Sequence, residues 1–293
     1  MRKNKFFSML LSAKEIINKS LELFKRDLHT WIPYMLVNFG AAIFGLLLVF
    51  NPTVVLFFAT LGVSSTVVMF INVLIALVLT IFDIWFHVAL IRTIHTRLFN
   101  QPVGGIQIQF QKTHHLIGRA LGISLLVGTI VFLPMGLSLV GFAVTGFEEL
   151  VLGNLKDGGM LYVFFGLLGL YGIFHFIYFS IKYAFSYYVV AVDEKNIRES
   201  LHEGNALTHG RMGEVLWRLA VPVTSFFLIY IFANYIFTAI AKLVGQNFVV
   251  VIANILSLAV SAAVALLCLI ATVILYEDAK AKPVVVKKPL KEV

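Results

Sequence analysis

Charge is scarce in this chain. Asp, Glu, Lys and Arg make up only 13% of its 293 residues, about half the share of a soluble globular domain. With 60% apolar residues and a mean hydropathy of +0.93, it carries more apolar surface than a water-soluble core of this size can hide. An ordinary soluble enzyme is excluded on that ground. Cysteine is scarcer still: the single thiol, Cys268, allows no internal disulfide and no cysteine-based metal cluster. Catalytic signatures are missing too. There is no GxxxxGK[ST], no GxSxG and no HExxH, since His202-Glu203 is followed by Gly-Asn-Ala. His114 and His115 are adjacent, so on a helix they point apart and read as interfacial polar residues rather than metal ligands. No catalytic residue, metal, cofactor or nucleic-acid partner is expected.

What is present is a series of long charge-free runs. None of the four charged residue types occurs from Leu28 through Phe82, which are 55 residues divided by Asn51-Pro52. A helix needs about 20 residues to cross the hydrocarbon, so two crossings fit, and later runs supply four more. The expected spans are about 31–50, 66–91, 120–144, 160–182, 219–241 and 248–276. Thr53–Val63 is apolar but too short to cross, and reads as an interfacial or re-entrant element. The net charge of +8 then tests the count. With six spans and both termini cytoplasmic, 21 Lys and Arg fall inside and only Lys156 and Lys242 outside, as the positive-inside rule requires. The opening MRKNKFFSMLLSA imitates a secretory signal, but Lys14 and Glu15 break its apolar stretch early, so it is expected to be retained.

The inner segments ahead of the odd-numbered spans are alike in kind. Leu10, Ala13, Ile17, Leu21, Phe24 and Leu28 recur at spacings of three and four, opposite Lys14, Glu15, Lys19, Glu22, Lys25 and Arg26. That pattern predicts an amphipathic helix lying in the inner headgroup layer. Ile106–Ile117 alternates like a strand yet also aligns on one helical face, and open sheet edges are disfavoured at membrane depth, so a helix is expected. Ile197–Thr208 repeats the plan more weakly, with Gly210 and Gly213 ending it. The chain then parses as three units of surface helix, span, span, although any in-out-in pair after a cytoplasmic linker would look similar. Residues 1–276 are expected to form a single membrane domain. The tail 277–293, with two prolines and five lysines, reads as disordered and held near anionic lipid headgroups, or simply solvated.

Polar groups inside spans are costly and mark packing or a pathway. Asp83 and His87 share one face of the second span, and His175 and Lys182 one face of the fourth. These four form the candidate intramembrane polar cluster. A pairing of Asp83 with Lys182 would neutralise both charges, and the alternative is that Lys182 snorkels to the headgroups. Asn72, Asn234 and Asn254 are expected to make interhelical hydrogen bonds. Gly166, Gly169 and Gly172 form a stripe that admits a close neighbour, and Pro134 and Pro222 are candidate kinks.

The stretch IKYAFSYYVVAVDEKNIRESLHEGNALTHGRMGEVLWRL, ending at Leu219, joins an aromatic span end, an acidic turn, an amphipathic helix and a Gly-punctuated return. Together with SAKEIINKSLELFKRDLHTWIPYMLV near the start, it resembles the membrane domain attached to some glycerophosphodiester phosphodiesterases, and the stand-alone prokaryotic membrane proteins that share it. The resemblance implies an all-α multi-pass protein of the plasma (inner) membrane. It implies no activity, because in the fused enzymes catalysis belongs to a separate soluble barrel for which this chain has no room. The leading expectation is a non-catalytic membrane-organising module that interacts with lipid or with protein partners, its oligomeric state not given by the sequence. A small transporter with an intramembrane polar site is the alternative, and an intramembrane lipid-modifying enzyme a third.

Overall fold

The computed structural model describes residues 10–48, 60, 64–144, 159–244 and 247–282. Apart from Thr60, the expected element at Thr53–Val63 lies outside them, as does the tail beyond residue 282. The described residues form no strand. In chain order the helices are α1 (Ala13–Arg26), α2 (Leu28–Leu48), α3 (Ser65–Leu98), α4 (Ile106–Thr113) and, after a 3-10 turn at His114–Leu116, α5 (Ile117–Val144). Then follow α6 (Gly159–Lys182), α7 (Ser186–Asp193), α8 (Ile197–Thr208), α9 (Met212–Val244) and α10 (Asn247–Ala281).

Five helical stretches are long and apolar enough to cross a membrane: Thr66–Leu98, Ile106–Gly141, Val163–Asp193, Met212–Val244 and Phe248–Ala281. Their β-branched content would favour strands in water. Where no water reaches the backbone, a helix is the single-segment arrangement that satisfies every amide and carbonyl internally. The first expected span corresponds to α2, which has 21 residues and no charged side chain, and residues 49 and 50 lie outside the described part. Pro33, Pro134 and Pro222 all sit within continuous helices. Three helices overrun their expected ends. α3 continues past Ile91 to Leu98, α10 past Tyr276 to Ala281, and α9 runs from Met212 to Val244 where 219–241 was expected, so the first charges beyond each apolar run are still helical.

The chain packs as two compact units. The first comprises the described residues of Met1–Ile117 and Leu216–Lys282, and the second Gly118–Val215. In the first unit burial is concentrated at the charged ends of the long helices. Trp31, Val88, Ala89, Ile94, Ile270, Val273, Leu275 and Tyr276 are sealed. The opposite halves of α3 and α10 leave side chains such as Met69, Phe70, Phe248 and Val251 exposed. Large apolar side chains in that position suit a hydrocarbon solvent.

The second unit is fastened by close helix approach. A Cβ on Gly204 of α8 would come within 2.7 Å of the Ser186 backbone nitrogen on α7, so only glycine fits that crossing. On α6, a Cβ at Gly172 would lie 3.1 Å from the Met135 nitrogen of α5, and one at Gly169 2.9 Å from Ser138 Oγ. That hydroxyl donates to the Phe165 carbonyl at 2.8 Å. Two of the three stripe glycines thus face α5, whereas Gly166 has open space. Gly210, at φ 74°, turns the chain between α8 and α9.

Three of the four short helices, α1, α4 with its 3-10 turn, and α8, share one burial register. Counting from the N-caps Ser12, Gly105 and Asn196, positions 4, 8 and 11 residues on are buried. These are Ile16, Ser20 and Leu23 on the first, Gln109, Thr113 and Leu116 on the second, and Ser200, Gly204 and Leu207 on the third. The middle position is always small enough for close packing and the last is always leucine. α1 packs on α10, α4 on α3, and α8 on α7. The alternating pattern at Ile106 is thereby settled as helix.

Candidate functional site

On α3, one helical turn places Asp83 and His87 together. The ring Nδ1 lies 3.2 Å from Asp83 Oδ1 and 2.9 Å from the Asp83 carbonyl oxygen. Neither side chain is sealed, with 62% of Asp83 and 43% of His87 exposed. Asn38 of α2 looks onto the same strip. With Tyr34, Phe86 and His87 it borders a cavity of about 30 Å³, room for a water molecule. With Phe82 and Asp83 it borders a wider cleft of about 220 Å³. Below this strip Tyr34 donates to Thr93 Oγ1 at 2.6 Å, and Thr93 donates to the Ala89 carbonyl at 2.9 Å. Trp85 Nε1 donates to the Phe110 carbonyl and Thr113 Oγ1, at 3.1 and 3.2 Å, which ties α4 to α3. A carboxylate and an imidazole side by side can share a proton, or offer oxygen atoms to a cationic group.

His175 and Lys182 belong to the second unit. His175 Nε2 is 2.8 Å from the Ile130 carbonyl and therefore carries its proton there, linking α6 to α5. Its ring lies 4.3 Å from that of Phe179. The Lys182 ammonium sits over the rings of Phe179, Tyr183 and Tyr178 at 5.1, 5.5 and 5.8 Å, a cation–π arrangement. The expected pairing of Asp83 with Lys182 would join the two units. Within its own unit each has another partner, His87 for Asp83 and the aromatic cluster for Lys182. Asn234 makes the expected interhelical bond, accepting from Ser257 Oγ at 3.0 Å.

The denser polar network stands at the charged end of the first unit, and sequence reasoning missed it. Asp27, buried, accepts from Arg26 at 2.9 Å and lies 4.0 Å from Arg97. Arg97 also donates to Thr30 Oγ1 at 2.9 Å. His95 Nε2 is 3.4 Å from Glu277 Oε1. Asp278 accepts from the Leu11 amide at 2.6 Å and pairs with Lys282 at 2.7 Å. Arg218 donates to the Leu11 and Leu10 carbonyls at 2.6 and 3.2 Å. The extended backbone before α1 is thus held by a carboxylate at its amide and a guanidinium at its carbonyls.

A second feature recurs. Among the described residues, two other than glycine have positive φ, Asn100 at 56° and Glu194 at 57°, each in the loop ahead of a short helix. Arg26 donates to the Asn100 side chain at 2.8 Å, and Arg119 donates to the Glu194 carbonyl. Arg26 and Arg119 both stand 14 residues after their N-caps, Ser12 and Gly105. The corresponding position in the third segment is Gly210.

Outside the spans, two charged groups among the described residues are perturbed. The Ser12 hydroxyl and backbone amide, completing a capping box with Glu15, hold the Glu15 carboxyl below the usual carboxylate range. Glu203 beside Lys195 pushes that ammonium's pKa up. No group of three or more His, Cys, Asp or Glu able to hold a metal occurs among the described residues. Compared with protein families, with curated proteins and with solved structures, the chain gives no significant match.

Proposed function

We propose that the chain is a six-span membrane protein with both termini cytoplasmic, built from three repeats of surface helix and span pair. In this reading it organises lipid or partner proteins through its inner helices and performs no catalysis. The observation that carries the reading is the recurrence of one fastening plan. It consists of the shared burial register of α1, α4 and α8, and the arginine 14 residues after the cap that grips a left-handed loop residue ahead of the next short helix. Conserving a fastening plan is what a scaffold requires, and the polar groups it employs are spent on joining helices. The split of 21 basic residues to 2 supports the orientation, and charge-free α2 supplies the sixth span. The likeness to the phosphodiesterase membrane domain enters as architecture only.

Labelling with a membrane-impermeant maleimide tests this reading. On a Cys268→Ser background, cysteines at Lys25 and Lys280 are expected to react from one side of sealed vesicles and a cysteine at Lys242 from the other. Reaction of positions 25 and 280 from opposite sides overturns it. A second reading, a transporter component, is favoured by the Asn38–Asp83–His87 strip beside its 220 Å³ cleft. In that case Asp83→Asn abolishes solute or proton flux in reconstituted vesicles and leaves the labelling pattern intact.

A further inference from the structure

Two polar groups in the first unit face one cleft within helices otherwise suited to hydrocarbon, and neither is fully satisfied. The cleft, about 220 Å³, lies between α2 and α3 and is lined by Asn38, Ala41, Leu79, Phe82, Asp83 and Phe86. The Asn38 side chain has no hydrogen-bond partner among the described residues. Asp83 is met at Oδ1 by His87, yet most of its side chain stays exposed, and one ring leaves most of a carboxylate's accepting capacity unused. An ionised carboxylate within a span is costly unless a positive charge stands beside it. The groups able to supply one are few. α2 turns Tyr34 and Asn38 toward the strip, and the Tyr34 hydroxyl is spent on Thr93. α10 brings Ala262, Ala265, Leu266 and Leu269, and α4 brings Phe110 and Thr113 to α3. Among the described residues lining the strip, only the imidazole of His87 can balance Asp83. Its Nδ1 proton is already placed, toward the Asp83 carbonyl and Oδ1. Balance therefore requires a second ring proton, on Nε2, for which the described residues offer no acceptor.

The strip then has two electroneutral states. In one, His87 holds both ring protons and no other cation is present. In the other, a cation lies on Asp83 and His87 has given up its Nε2 proton. We propose that this cation is a small primary ammonium ion, bound by Asp83 and the Asn38 amide oxygen, and that its entry releases one proton from His87. The three donors of an ammonium suit a carboxylate and an amide oxygen together. Ala41, Leu79 and Phe82 receive a short alkyl chain, where a bare metal ion would leave them facing water. The Phe82 ring also favours a cation, and the cleft is smaller than a drug-sized site. The approach runs along α3. At 3.6 residues per turn, Asn72, Ala76, Thr80, Asp83 and His87 fall within an arc of about 80°, whereas Val88, Ala89 and Ile94 beyond them are sealed. The inference rests on the second reading of this strip and names what it exchanges.

The test uses the full chain in neutral detergent, with n-butylammonium chloride, sodium chloride and 1-butanol as probes at equal ionic strength. Thermal unfolding and titration calorimetry read the binding. Of the three, n-butylammonium is expected to raise the unfolding temperature. Its affinity should rise roughly tenfold per pH unit between about pH 5 and pH 7, as one proton is released. His87→Gln should bind it without that dependence. Asp83→Asn weakens binding roughly 30-fold and Asn38→Leu about fivefold. The leucine variant, apolar within an apolar span, keeps the test decisive should Asp83→Asn fail to fold. The proposal is overturned if sodium or 1-butanol gives an equal shift, or if both variants bind as tightly as the parent. An affinity that does not change with pH in the parent also overturns it. Binding of n-butylammonium without flux in reconstituted vesicles leaves the site standing and removes the transporter reading. Flux that Asp83→Asn abolishes, in a chain that binds no n-butylammonium, does the reverse.

Discussion

Each unit has one arginine that grips a left-handed loop residue, Arg26 on Asn100 and Arg119 on Glu194. Beyond that shared grip the two units hold their helices by different means. In the first, the fastenings are charged and reach far along the sequence: Asp278 to Leu11 across 267 positions, Arg218 to Leu11 across 207, Arg26 to Asn100 across 74. In the second, the conspicuous contacts are steric. Gly204 admits Ser186, and Gly172 and Gly169 admit α5. The contrast follows from where each packing lies. Charged side chains can bridge helices only at ends where water or headgroups share the cost of ionisation. Between apolar helix surfaces, association has to come from backbones brought close by small residues. A steric fastening fails abruptly when one carbon is added, whereas an ionic one weakens by degrees.

That contrast can be broken most severely at Gly204. Replacing it with valine forces a branched side chain onto the Ser186 backbone and is expected to cost about 3 kcal/mol, read as a lowered unfolding temperature in detergent. Asp278→Ala comes next. It leaves the Leu11 amide without its acceptor and removes the Asp278–Lys282 ion pair, a loss of about 2 kcal/mol. Limited proteolysis should then cut at Lys14 and Lys19 faster, with α6 and α8 unchanged. Gly172→Ala requires the neighbouring Met135 backbone to give by a few tenths of an ångström, for about 1 kcal/mol. Its effect should appear only in hydrogen exchange of α5 and α6.

The smallest effect is a pH dependence at the start of α1. Because the Glu15 carboxyl is held low by Ser12, its contribution is complete above the unfolded carboxylate range. It is lost as pH falls through the folded value. Protection of the amides in the first turn of α1, taken as the exchange rate relative to the intrinsic rate at the same pH, should fall as pH is lowered from 6 to 3. In Glu15→Gln that fall should be absent.

What could be read from the residues follows the same division. The long helices were legible because a charge-free run of 20 or more residues has few alternatives in lipid, and Ile197–Thr208 was read to the residue. The overruns of α3, α9 and α10 were not, since a charge marks where hydrocarbon ends but not where the helix ends. Asp83 and His87 were visible because their partnership is local, four residues along one helix. The Asp27 cluster and the clasp at Leu11 were invisible, because their partners lie dozens to hundreds of positions away and ionic residues near helix ends are commonplace. One part of the recurring plan could have been found by counting: leucine 11 residues after each cap, and arginine 14 after the first two. The cap at Gly105 hides it, because glycine offers no side-chain signal there.

The clasp at Leu11 also sets an order of events during biosynthesis. Leu11 is translated early, yet both side chains that grip it, Arg218 and Asp278, leave the ribosome more than two hundred residues later. Until then α1 must wait undocked, with its apolar stripe resting on whatever membrane surface is nearby. Its final docking would therefore report that α10 has been inserted, making the earliest of the described helices among the last to reach its native contacts.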